Sequence, residues 1–145
     1  MQRTTPPLRA DHVGSLLRPA ALKEARAQHA AKNSTDAHVA EIEDRECEKT
    51  VRRQEEVGLK LATAGEFRRS WWHFDFYKGL DGVEMFDTGR GIVFAGVETK
   101  AEAIRIVGKL DFSGHRHLEH FKFLKAHCKV MPKMTIPAPS TMHFR

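Results

Sequence analysis

Two cysteines, two tryptophans and one tyrosine among 145 residues leave little material for several kinds of site. Cys47 and Cys128 stand far apart and in no CxxC arrangement, which excludes a disulfide framework and a zinc knuckle; two buried thiols are the simplest reading. No apolar run approaches the roughly 20 residues that cross a bilayer, so no membrane partner is expected. The opening MQRTTPPLRADHVGS lacks the apolar core of a secretory signal, and the chain reads as cytoplasmic. A Walker A sequence is missing, GRGIVFAG is not a GxGxxG turn opening a helix, and no GxSxG elbow occurs. Long runs of one charge are missing as well. The net charge of +5 is spread among nineteen acidic residues, so an anionic small molecule accounts for it as readily as nucleic acid, and no nucleic-acid partner is expected.

The residues that are present alternate between strand-like and helix-like segments. LRADHVGS reads as a short strand over residues 10–13, stopped by Gly14 and Ser15 where glycine permits a sharp turn. Pro19 suits the first turn of a helix, which continues through strong helix formers to about Ala31. A second helix starts at Asp36 after the cap candidates Ser34 and Thr35. Its inward face carries Val39, Ile42, Cys47, Thr50, Val51, Gln54 and Val57, and Gly58 ends it. LKLAT, residues 59–63, follows as a buried strand, and strand, helix, strand with short connections implies a parallel pair. GVEMFD, GIVFAGVE and EAIRIVGKLDF suggest an antiparallel β excursion. HRHLEHFKFLKAHC then reads as a helix with Leu118, Phe121, Leu124 and Cys128 on one side, and a further strand begins near Lys129. The expected class is α/β with about three parallel strands, whereas a complete eight-stranded barrel needs roughly 250 residues.

His12, Gly14, Ser15 and Glu66 fall just past the carboxyl ends of the first two strands, the edge at which parallel α/β proteins bind ligands. A glutamate there can hold an amino group, and a Gly-Ser turn can offer backbone N–H groups to a carboxylate, so together they suit the two charged ends of an amino acid. The alternative is that Glu66 pairs with Arg68 or Arg69 on the surface and Ser15 caps the following helix. In TAGEFRRSWWHFDF the rings of Trp71, Trp72, His73, Phe74 and Phe76 either pack a core or offer a platform to a ligand. His115, His117 and His120, near Glu119, suit a metal less well than a solvated polar helix face, because no second ligand pair at known spacing accompanies them.

RADHVGSLLRP, EDRECEKTVRRQEEVGLKLATAGEFRRSWWHFDF and KMTIPAPSTMHFR, in that order, resemble the first part of the cobalamin-independent methionine synthase family, in particular its single-barrel 5-methyltetrahydropteroyltriglutamate–homocysteine S-methyltransferase-like members. The resemblance implies a TIM barrel, of which residues 1–145 would form about the first three βα units with an inserted β excursion. It implies an S-methyltransferase moving a methyl group from methyltetrahydrofolate to homocysteine or a related thiol, with zinc and without cobalamin. By the same resemblance Val13, Gly14 and Ser15 match the family's turn after the first strand and Glu66 its substrate glutamate; His12 and Trp71, by their placement in the sequence, are further substrate-binding candidates.

Two departures qualify that expectation. Ala64 stands where single-barrel members usually carry an aspartate. The family's zinc ligands come from the later half of the barrel, and neither Cys47 nor Cys128 matches them. The chain is therefore expected to be an amino-terminal part of the domain with a partial substrate site, no zinc centre, no activity alone and a tendency to self-associate through uncovered edges. A non-catalytic α/β module binding an anionic or folate-like molecule is the alternative.

Overall fold

Helix α1, Ala20–Ala30, starts directly after Pro19, whose fixed φ of −58° suits a helix entry. In the computed structural model, which describes residues 12–143, α1 buries Leu22 and Ala25. It ends in a Schellman turn, with Lys32 N–H donating to His29 O and Asn33 N–H to Gln28 O. Lys32 takes the left-handed conformation there, at φ 61°. Helix α2, Asp36–Glu56, is capped by Thr35, whose hydroxyl accepts from His38 N–H at 3.2 Å. The same terminating pattern recurs with glycine: Gly58 (φ 85°) donates to Glu55 O and Leu59 to Gln54 O. The inward face of α2 holds Ile42, Cys47, Val51 and Gln54 as expected, but Val57 is exposed. Glu46 replaces it as an unforeseen buried member, paired with Lys49 and Arg45.

The chain divides into two units, Met1–Arg69 with His120–Met134 and Ser70–Glu119 with Thr135–Arg145. In the first, strand β1, Leu61–Ala62, pairs in parallel with a later two-residue strand, Met131–Pro132. The parallel pair expected between residues 10–13 and 59–63 is not found among the described residues; β1 pairs instead with the strand expected to begin near Lys129. Of the expected first strand, residues 10 and 11 lie outside the described residues, and His12 and Val13 are not in a strand. The core forms two clusters on the inner face of α2. Leu22, Ala25, Ile42, Cys47 and Phe67 make one, while Val51 and Ala62 meet Leu124 in the other. Burial of such side chains is worth about 1.5–3 kcal/mol each.

The second unit opens with a single helical turn, α3, Phe74–Tyr77, which buries Phe74 and Tyr77. Its antiparallel ribbon pairs β2, Asp81–Asp87, with a long partner that returns after a small hairpin. The hairpin consists of β3, Val93–Phe94, and β4, Val97–Glu98, joined through Ala95 and Gly96 at φ 45° and 81°. The long partner is β5, Glu102–Asp111. This is the antiparallel excursion expected from the sequence. Gly82 (φ 74°) marks the register shift in the ribbon, where a Cβ would lie 2.5 Å from Lys109 O.

Helix α4, Arg116–His127, leads on to β6, Met131–Pro132. Phe121, Leu124 and Cys128 face the first unit's core, but Leu118 is exposed and Phe123 packs inward instead. A 3₁₀ turn over Pro139–His143 is tied to Tyr77, whose hydroxyl lies 3.0 Å from Ala138 O. The described molecule is thus mixed α/β. Among the described residues no helix is long and apolar enough to cross a membrane.

Candidate functional site

The segment after β1 turns on two consecutive left-handed residues, Gly65 at φ 66° and Glu66 at φ 59°. Glycine is required at the first, because a Cβ there would meet the Phe67 ring at 2.9 Å. Glu66 has no such exemption. A left-handed non-glycine residue costs about 1–2 kcal/mol and persists only where its surroundings hold it. Those surroundings are specific. Thr63 Oγ1 accepts from Gly65 N–H at 3.1 Å, and Phe67 N–H donates back to Ala64 O at 3.3 Å. Phe67 is buried in the core beside Leu22 and Cys47 and anchors the far side of the turn.

Four of the residues singled out from the sequence come together on this turn or beside it. Leu16 N–H donates to Gly65 O at 3.1 Å, which fastens the segment carrying Val13, Gly14 and Ser15 to the Glu66 turn. Gly14 is left-handed at φ 87°, with nothing within 4 Å of where a Cβ would sit. Val13, Gly14 and Ser15 are all exposed, and the Ser15 hydroxyl donates to Leu16 O at 2.9 Å. Ser15 does not cap α1, which begins at Ala20 with Pro19 ahead of it. His12 is held at its carbonyl by Lys133 Nζ at 2.9 Å, while its Nε2 is buried and finds no hydrogen-bond partner among the described residues.

Glu66 ion-pairs with Arg69, so the pairing alternative from the sequence is realised, though as a nearly buried pair and not a surface one. The neighbouring Arg68 goes elsewhere: it pairs with Asp44 and lies over the Phe123 ring at 4.5 Å. Arg18, which the sequence reading passed over, reaches the same turn through the carbonyls of Arg69 and Glu66. Gln54 and Thr63 were likewise read only as helix face and strand, and they prove to brace the turn from beneath.

Trp71 belongs to the other unit. Its indole N–H donates to the Glu102 carboxylate, its backbone N–H donates to Asp75 Oδ2 at 2.7 Å, and its ring meets Phe74 edge-on at 5.5 Å. Trp72 is exposed beside it, so the paired tryptophans have different environments.

The histidine-rich segment departs from the expected solvated face. His115 and His117 are buried, and His115 Nδ1 accepts from His117 N–H at 3.0 Å while Nε2 lies 2.7 Å from Phe76 O. These two bonds fix His115 as the tautomer protonated on Nε2 and make it the cap of α4. Gly79 makes room for the ring, since a Cβ there would sit 2.5 Å from His115 Nε2.

The donor set among the described residues does not fit the zinc that the resemblance implies. No three His, Cys, Asp or Glu side chains of the described residues group so as to hold a metal ion. Burial pushes the Cys47 thiol up to about 11, and burial likewise raises Cys128, whereas a zinc ligand must be a thiolate.

No family profile matches the chain. The uncharacterized protein YxjG of Bacillus subtilis (strain 168) is 49% identical over 146 residues, spanning 100% of this chain and 39% of YxjG. A 5-methyltetrahydropteroyltriglutamate–homocysteine methyltransferase of Thermosynechococcus vestitus is 39% identical over 89 residues, 61% of this chain and 12% of that enzyme. Among solved structures, a candidate vitamin-B12-independent methionine synthase from Listeria monocytogenes superposes with a TM-score of 0.78 at 40% identity, covering 95% of this chain and 38% of that one. A B12-independent methionine synthase from Shewanella sp. W3-18-1, solved in complex with selenomethionine, shares the fold at a TM-score of 0.57 and 19% identity, over 76% of this chain and 32% of that one. The chain is a relative of the cobalamin-independent methionine synthase-like proteins. It spans less than two fifths of the length of YxjG.

Proposed function

We propose that this chain carries the amino-acid-holding part of a methionine synthase-like S-methyltransferase. Backbone N–H groups at Gly14 and Ser15 receive the carboxylate of homocysteine, and Glu66 receives its amino group. A charge-assisted hydrogen bond from an ammonium to Glu66 is about twice as strong as a neutral one, which makes the amine end the main source of selectivity. Arg69 orients the carboxylate from one side. In the whole reaction the thiol of homocysteine takes the methyl group of methyltetrahydrofolate, and β1 and β6 are neighbouring strands of a (βα)8 barrel whose remainder lies in the longer relatives.

One observation carries this reading. The Leu16 to Gly65 hydrogen bond brings an exposed left-handed Gly-Ser turn against a left-handed glutamate, two complements to the two ends of an amino acid held on one short bridge. Strain concentrated in a polar turn at the carboxyl end of a parallel strand supports a binding role more than a packing one.

Calorimetric titration of L-homocysteine into the 145-residue chain tests it. Binding by the unsubstituted chain that weakens at least about tenfold in Glu66→Ala is expected from the loss of one charge-assisted bond. Equal affinity in both would refute the assignment. Binding without methyl transfer from methyltetrahydrofolate fits the same site acting as a module of a larger enzyme or as a binding protein.

A further inference from the structure

Arg18 stands three residues beyond Ser15 and has no place in the clamp just described. Its guanidinium nevertheless reaches across to the other half. Arg18 Nη2 donates to Arg69 O at 2.7 Å and lies 3.5 Å from Glu66 O, so one side chain meets carbonyls at both ends of the turn that presents the Glu66 carboxylate. The side chain is partly buried, where a charged donor on a carbonyl is worth more than at the surface. Its backbone is constrained too, because Pro19 follows and disfavours a helical conformation in the residue before it.

The two constraints are complementary. Arg69 pairs with the Glu66 side chain, whereas Arg18 holds the main chain of the same left-handed turn. Leu16 N–H on Gly65 O supplies the second tie between the two segments, two residues before Arg18. With both ties in place, the Gly14 turn and the Glu66 carboxylate keep one separation, and that separation determines which molecule can touch both.

Resting on the proposed function, we infer that Arg18 is a positioning residue. It acts through the Glu66 turn to select an α-amino acid over the same carboxylic acid lacking the amino group. Lysine replaces it only in part, because its ammonium ends one bond short of Nη2, the single atom that meets both carbonyls.

The test titrates the full chain, unsubstituted and as Arg18→Ala and Arg18→Lys, with L-homocysteine and with 4-mercaptobutanoate, which lacks only the amino group. The unsubstituted chain is expected to prefer homocysteine. In Arg18→Ala the affinity for homocysteine falls by about tenfold, the scale of one lost hydrogen bond to a charged group, while that for 4-mercaptobutanoate stays unchanged. Arg18→Lys recovers only part of the preference. An equal loss for both ligands would reduce Arg18 to a structural role, and an unchanged preference in Arg18→Ala would overturn the inference while leaving Glu66 in place. Failure of the unsubstituted chain to bind homocysteine would overturn the proposed function and this inference together.

Discussion

Gln54 closes both backbone groups of Thr63: its Nε2 donates to Thr63 O at 2.7 Å and its Oε1 accepts from Thr63 N–H at 3.0 Å. A helix side chain thus continues the hydrogen-bonding ladder one residue past β1, where no strand among the described residues does so. Thr63 in turn holds Gly65 through its hydroxyl, so the support runs from α2 to the Glu66 turn in two steps. Gln54→Ala leaves a buried donor and a buried acceptor unpaired and is expected to cost about 2–4 kcal/mol, read as a lower urea midpoint. A loss below half a kilocalorie would mean that water or a shifted strand replaces the amide.

The left-handed backbone at Glu66 separates its conformational cost from its chemistry. Glu66→Ala keeps the strain and removes the nearly buried pairing with Arg69, whereas Glu66→Gly removes the same pairing but relieves the backbone. The glycine variant is therefore expected to be more stable than the alanine variant by about 1 kcal/mol, after its extra unfolded-state entropy is allowed for. Equal unfolding midpoints, or a more stable alanine variant, would show that residue 66 is not left-handed in solution.

These supports mark the boundary of what the sequence disclosed. The frame of α2 was legible because its signals are local: Thr35 caps it, Gly58 ends it, and Ile42, Cys47 and Val51 keep helical spacing. Gly14, Ser15 and Glu66 were legible as a set because each follows a strand-like segment. The partners were not. Arg68 and Arg69 are adjacent and chemically identical, and only the left-handed turn sends one to Glu66 and the other to Asp44. Gln54 was recognisable as an inward position on α2, but nothing in its spacing tells that its amide would serve Thr63. His115 and His117 misled for the opposite reason. Polar residues at helical spacing suggest a wet face, yet the ring stack with Phe76 and Phe112 buries them. The strand at residues 59–63 shrank to two ladder residues because apolar content fixes burial, not pairing.

Asp75 gives the second unit a dependence on acid. Burial alone would raise its carboxyl, but Lys78 and the backbone N–H groups of Trp71 and Ser70 outweigh burial and hold it below its ordinary 3.8. A carboxylate depressed in the folded state stabilises above its unfolded value, and that stability is lost as pH falls below 3.8 toward the folded value. Asp75→Asn is therefore expected to be the less stable protein near neutrality, with the gap narrowing once the pH drops below that value. A gap that stays constant through acid titration, followed by tryptophan fluorescence, would assign the effect to packing.

Cys47 gives the first unit a dependence at the opposite end of the scale. Its thiol is fully buried and donates to Ala64 O at 3.5 Å, a bond the thiolate could not make. Burial is the main cause of its rise to about 11, with Glu43 and Asp44 adding to it and Arg68 opposing it. Because the unfolded thiol ionises near 9.0 and the folded one does not, its contribution is complete below 9.0 and is lost as pH rises toward about 11. Cys47→Ala, which cannot ionise, should be less stable at pH 8 because of the cavity it leaves, yet should decline less steeply above pH 9; that difference in slope isolates Cys47 from the other groups titrating there. At pH 8 a thiol reagent should label the partly exposed Cys128 first and reach Cys47 only as fast as the protein opens. Rapid labelling of Cys47 in the folded protein would mean that the core beneath the Glu66 turn is open, and the turn could not then be held as described.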